Sequence, residues 1–127
     1  MKKYSKKGLE RRKEERQGFA EFFQKHVLNI KNQRECCKEC GNKLRGDVSE
    51  VAHILPKNLY KSIATNDDNV IYLCSWKDTN NCHSIFDGTD EQLHSMVVFK
   101  AVQENVEKLL QKVTEKINYK IFDRWQI

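Results

Sequence analysis

The sequence predicts a small α+β fold, and three observations point to it. A stripe of phenylalanines at helical spacing lies near the N-terminus, two short apolar runs of strand character occupy the centre, and a long periodic apolar stretch follows Thr89. The length of 127 residues fits one domain. With 39% apolar residues the core is modest, of the size often reinforced by a metal or by disulfides.

Each element has its own signal. From about Leu9 to Ile30, Phe19, Phe22, Phe23, Val27 and Ile30 recur at threes and fours, one stripe of an amphipathic helix. "CCKECGNKLRG" follows, with Gly41-Asn42 and Gly46-Asp47 as turn signals. "VSEVAHIL" reads as a first strand ended by Pro56, and "NVIYLC", residues 69–74, as a second. The connection between them is polar and closes on the turn formers "TNDDN". After the polar loop "SWKDTNN", the run "CHSIFDG" fits a short helical segment ended by Gly88.

Thr89 and Gln92 have capping-box spacing, so a further helix starts there. Its apolar face, from Leu93, Met96 and Val97 through Val102, Val106, Leu109 and Leu110 to Val113 and Ile117, predicts one long helix to about Ile117. The tail "YKIFDRWQI" is apolar enough to pack back, as an edge strand. The organisation expected is therefore a basic N-terminal helix (1–35), a central core (36–88), and a C-terminal helix with its tail (89–127).

The charge of +5 is concentrated at one end. Residues 1–16 hold Lys2, Lys3, Lys6, Lys7, Arg11, Arg12, Lys13 and Arg16 against three glutamates, and the remainder is balanced. Such an arm attracts polyanions, nucleic acid foremost among them. No apolar run reaches the ~20 residues of a bilayer span, and the basic N-terminus has no hydrophobic segment of the signal-peptide kind behind it. A cytoplasmic protein with no membrane partner is expected.

The five cysteines, Cys36, Cys37, Cys40, Cys74 and Cys82, disfavour a disulfide framework in such a chain and favour metal ligation. Cys37-x-x-Cys40-Gly is a knuckle spacing whose two sulfurs can reach one tetrahedral Zn²⁺ at about 2.3 Å. Cys74 and Cys82 supply a second pair, spaced more widely than a usual knuckle. Cys36 competes with Cys37, and the spacing favours Cys37.

"CKECG", "VAHILPKN", "DDNVIYLC" and "CHSIFD", in that order, resemble the HNH endonuclease family, ββα-metal nucleases whose finger is framed by two cysteine pairs. The resemblance covers residues 36–88 and excludes the flanking helices. It implies a metal-dependent endonuclease acting on DNA, of the kind found in phages, mobile elements and bacterial defence. His53, Asn69 and His83 stand at the three positions that name the family. His53 would be the general base, a role suited to an imidazole whose ordinary pKa is about 6.5. Asn69 would hold the hairpin and orient that base, and His83 would bind a divalent cation such as Mg²⁺. Asp87, four residues on, would point the same way on a helix and be the second ligand of that cation.

Two departures stand out. Ala52 replaces the metal-binding Asp or His that many members carry before the first histidine. The cation would then rest on His83, Asp87 and waters, or gain Glu50, or be lost altogether, leaving a zinc-finger module that binds nucleic acid or regulates. The long Cys74–Cys82 loop is the other departure, and its Trp76 and Lys77 either meet substrate or cover the zinc. Cleavage of both strands would call for a homodimer. His26 and His94 are expected to be surface or packing residues.

Overall fold

The computed structural model describes residues 6–127, without the side chains of residues 6–9, 11 and 12. The chain is mixed α and β, as expected: five helices and one two-stranded antiparallel sheet among the described residues. Helix α1 spans Lys6–Gln33 and ends where Arg34 turns left-handed at φ 49°. Its stripe buries Phe22, His26, Val27 and Ile30.

The strands are shorter than the apolar runs suggest. Strand β1 is Val51–His53, and Val48–Glu50 before it form a single 3₁₀ turn. Asp47 caps that turn through the Ser49 amide, and Glu50 reaches back to the Asp47 amide, a reciprocal capping box. Strand β2 is Val70–Tyr72, with Asn69 closing another 3₁₀ turn, Asp67–Asn69, just ahead of it. The pairing is Val51 with Tyr72, Ala52 with Ile71 and His53 with Val70.

Helix α2, Cys82–Phe86, follows the cysteine loop. The single long helix expected from Thr89 to Ile117 is two helices, α3 (Asp90–His94) and α4 (Phe99–Leu110). The break has a non-local cause. The Glu39 carboxylate, from the cysteine knuckle, accepts the amides of both Val97 and Val98 at 3.0 Å, capping α4 from outside its own sequence. Ser95 Oγ donates to the Gln92 carbonyl in the same break. Val97 is consequently 80% exposed rather than on the apolar face.

The tail forms helix α5, Lys120–Trp125, where a strand was expected. Trp125 lies flat against Phe99, with ring centroids 5.7 Å apart, and tilts onto Phe86 at 5.9 Å. Burying that indole against two phenyl rings favours the docked helix. One core joins Ile30 of α1, Leu55, Leu73, Phe86, Leu93, Val106 and Leu109 to Trp125. Among the described residues no helix is long and apolar enough to cross a membrane.

Candidate functional site

Four cysteines converge between the knuckle and the start of α2. The sulfurs of Cys37, Cys40, Cys74 and Cys82 all lie within 4.8 Å of one another. Four thiolates around one Zn²⁺ at about 2.3 Å lie about 3.8 Å apart in a tetrahedron, and Cys40 Sγ to Cys74 Sγ is 3.8 Å. The cluster could hold a metal ion such as zinc. Cys36 is exposed and lies outside it, paired through its backbone with Lys43.

The local backbone explains the convergence. Gly41, at φ 80°, lets its amide return to the Cys37 carbonyl at 2.9 Å, and the Cys37 amide donates to the Asn42 carbonyl at 2.8 Å. Lys38 N donates to Tyr72 O, docking the knuckle beside the end of β2. Across from it the Cys82 amide points at Cys74 Sγ, 3.3 Å away. Burial pushes the Cys74 thiol up to about 11 and the Cys82 thiol upward as well. Cys40 goes the other way. Burial raises it too, but hydrogen bonds from the Asn80 side chain and the Asn42 backbone bring it down to about 7. A cation is what would let all four sulfurs ionise together.

Helix α2 carries Cys82 into the cluster and His83 out of it. His83 Nδ1 donates to the Ser49 carbonyl at 2.6 Å, which fixes the ring and leaves Nε2 facing Asp87 Oδ2 at 3.0 Å. The Asp87 carboxylate raises the imidazole pKa above its ordinary value. Cis ligands of an octahedral cation at about 2.1 Å also sit about 3.0 Å apart. An imidazole nitrogen and an exposed carboxylate oxygen in that relation fit a hard divalent ion. Among the described residues no third His, Cys, Asp or Glu completes a set around this pair.

His53 ends β1. Its Nε2–H donates to the Ala64 carbonyl at 3.0 Å, leaving Nδ1 as the unprotonated nitrogen. Burial lowers its pKa, partly opposed by the Ala64 carbonyl and reinforced by the charge of Lys57. Asn69 is fully buried and grips the chain just beyond His53. Its Oδ1 accepts the Leu55 amide at 2.8 Å, its Nδ2 donates to the Leu55 carbonyl at 3.1 Å, and its own carbonyl accepts the Ile54 amide.

His53, His83 and Asp87 line one open pocket of about 700 Å³, together with Phe23, Lys57 and Arg124. Arg124 donates to the Phe86 and Gly88 carbonyls and to Asp90, so its role is to cap the end of α2.

One of the alternatives for the cation falls away. Glu50 is not a ligand: its carboxylate is buried and accepts the amides of Arg45, Gly46 and Asp47 at 2.7–3.1 Å. Ala52 has no exposed surface at all, so the position before His53 faces the core.

Lys57 is a pocket residue that the sequence did not single out. Its ammonium lies 5.5 Å from the Phe19 ring centroid and 5.2 Å from that of Phe23, and Phe23 in turn packs edge-on to His53 at 5.4 Å. Lys57 makes no ion pair among the described residues. Its place after Pro56 was visible; the rings that hold it come from α1, more than thirty residues away.

Of the basic arm, Lys2 and Lys3 lie outside the described residues, as do the side chains of Lys6, Lys7, Arg11 and Arg12. Lys13 and Arg16 are exposed on α1. His26 is the packing residue of the two expected alternatives, buried and bonded to Tyr72 and Asp67. His94 donates to the Arg124 carbonyl and packs on Phe99. The chain matches no protein-family model, no curated protein and no solved structure.

Proposed function

We propose that this chain is a metal-dependent endonuclease of the HNH type, hydrolysing DNA phosphodiester bonds. The observation that carries the reading is the shared pocket: His53, whose Nε2 is taken by the Ala64 carbonyl, and the His83–Asp87 pair line one opening. A Zn²⁺ on Cys37, Cys40, Cys74 and Cys82 would anchor the short helix that presents His83.

His83 and Asp87 would hold a divalent cation such as Mg²⁺, which would supply positive charge to the scissile phosphate and its leaving oxygen. His53 Nδ1 accepts a proton from the attacking water, and burial together with Lys57 keeps that nitrogen unprotonated near neutral pH. The Ala64 carbonyl holds the required tautomer, and Asn69 fixes the backbone on which His53 sits. Lys57, restrained on two phenyl rings, offers its ammonium to a phosphate oxygen. Exposed Lys13 and Arg16 add salt-sensitive contacts along the backbone.

Supercoiled plasmid incubated with the protein and Mg²⁺, Mn²⁺ or Ni²⁺ tests the reading. Nicking that disappears in His53→Ala supports it; nicking that persists unchanged removes His53 as the base. A second reading rests on buried Ala52, which leaves the cation only two protein ligands. On that reading the chain is a zinc-finger module that binds nucleic acid without cutting it. Salt-dependent DNA binding with no cleavage under any of these metals would select it.

A further inference from the structure

The loop between Cys74 and Cys82 presents Trp76 to solvent, 72% exposed, and no large aromatic among the described residues is more so. An indole left in water forgoes the burial that makes tryptophan stabilising. The loop beneath it is not slack. Asp78 N donates to Ser75 O at 2.9 Å, and Asn80 N to Asp78 Oδ1 at 2.8 Å. Arg45 Nη2 donates to Lys77 O at 2.9 Å. The Lys77 ammonium, paired with Asp47, stands 5.4 Å from the Trp76 ring centroid. The indole is thus held in place by a braced loop, with most of its surface free.

Its position relates it to the proposed chemistry. Trp76 lines a second cleft, of about 330 Å³, whose other wall includes Asn81, Ser84, His83 and Asp87. His83 and Asp87 also line the larger pocket, so the two openings meet at this pair, with His53 and Lys57 lining the one and Trp76 the other.

Resting on the endonuclease reading, we infer that Trp76 is a stacking platform for an unpaired nucleobase next to the scissile phosphate. The preferred substrate is then a single-stranded segment rather than intact duplex. Inside a duplex both faces of every base are covered by neighbours, so an indole finds a free face only on a base that has left the stack. Such a site is tolerant of sequence, because every base offers a π-face. The Asn81 and Ser84 side chains at the cleft wall supply hydrogen-bonding groups for the base edge.

The chain has two tryptophans, and Trp125 is buried, so quenching by an added oligonucleotide reports on Trp76. The His53→Ala protein, titrated with an oligothymidylate and separately with a blunt duplex of two annealed strands, is expected to show strong quenching by the single strand alone. By anisotropy of a labelled strand, Trp76→Ala is expected to weaken single-strand binding by about tenfold, the scale of one base–aromatic stack, and Trp76→Phe to restore part of it. Equal binding by Trp76→Ala and its parent, or equal quenching by the annealed duplex and the single strand, would overturn the inference. If neither the plasmid nor a labelled single-stranded oligonucleotide is cut with Mg²⁺, Mn²⁺ or Ni²⁺ while these binding differences hold, the endonuclease reading falls and the stacking platform stands.

Discussion

His83 and Asp87 stand one helical turn apart, Nε2 to Oδ2 at 3.0 Å, while the opposite ring nitrogen of His83 is committed to the Ser49 carbonyl at 2.6 Å. A neutral imidazole cannot donate from both nitrogens. With Nδ1–H already in use, a lone pair on Nε2 would face a carboxylate, and that arrangement calls for positive charge between them. The Asp87 carboxylate favours a second proton there, raising the His83 pKa above its ordinary value. On the proposed reading a divalent cation would take that proton's place. Asp87→Ala is therefore expected to weaken Mn²⁺ binding by at least about tenfold, since losing even an outer partner of a ligand costs that much. Titration calorimetry with Mn²⁺ on the zinc-loaded protein reads it, and unchanged affinity would remove Asp87 as a ligand.

The cysteine cluster makes a separate prediction, because it ties α2 to the knuckle rather than touching the pocket. Apparent binding energies of structural Zn²⁺ in small fingers run to about 10–16 kcal/mol, enough to decide whether residues 36–88 fold. Cys82→Ser is expected to abolish stoichiometric zinc and the cooperative thermal transition, whereas Cys36→Ser leaves both intact because Cys36 lies outside the cluster. Zinc content by a colorimetric chelator and circular dichroism on heating check the pair.

What the sequence revealed was local, and what it hid was long-range. The cysteine pairs, the His83–Asp87 spacing and the Thr89–Gln92 capping box are all set within a few residues, and each appears in the structure. The break between α3 and α4 was hidden because the apolar period runs on through Met96 and Val97. Only Glu39, nearly sixty residues earlier, reveals it by taking the Val97 and Val98 amides. The tail was ambiguous for a related reason. A short apolar run fits strand or helix equally, and the Phe99 and Phe86 rings that receive Trp125 decide the matter. Lys57 gained its meaning only when α1 brought Phe19 and Phe23 beneath it.

Asn69 is the tightest link between the strands and the proposed base. Both its amide atoms are bonded to Leu55 in a site without solvent. Asn69→Ala leaves the Leu55 amide and carbonyl unpaired, at about 1–3 kcal/mol each, so a loss of about 2–6 kcal/mol in urea denaturation is expected. A loss within a few tenths of a kcal/mol would mean that Leu55 finds other partners and that Asn69 does not hold the hairpin.

His26 predicts a stability that depends on pH. Tyr72 Oη donates to its Nδ1 at 2.6 Å, its Nε2–H donates to Asp67 at 3.0 Å, and burial lowers its pKa despite that carboxylate. The folded imidazole therefore binds a proton less readily than the unfolded one. Stability from this group is complete above the unfolded value of about 6.5 and is lost as pH falls toward the depressed folded value. The gap in melting temperature between wild type and His26→Gln is expected to be widest above about pH 7 and to narrow on acidification. A gap that widens in acid would show the folded ring to be charged.

His53 gives the last prediction, on the pH dependence of catalysis. Burial lowers its pKa first, the Ala64 carbonyl acts in the opposite sense, and the charges of Lys57 and His26 lower it while that of Asp87 raises it. The base works only when Nδ1 is free, so activity is expected to persist below about pH 6.5, where an ordinary histidine would already be protonated. Removing the nearest named cation should undo part of this. Lys57→Met keeps the aliphatic stem on the phenyl rings and deletes the charge, so the acidic limb of kcat/KM moves to higher pH and the plateau falls as a phosphate contact is lost. Lys57→Arg restores the charge, and with it the position of the acidic limb. A pH profile of nicking for the three proteins reads both effects at once. If Lys57→Met lowers the plateau without moving the limb, Lys57 serves the phosphate alone; if it moves neither, Lys57 has no part in the site.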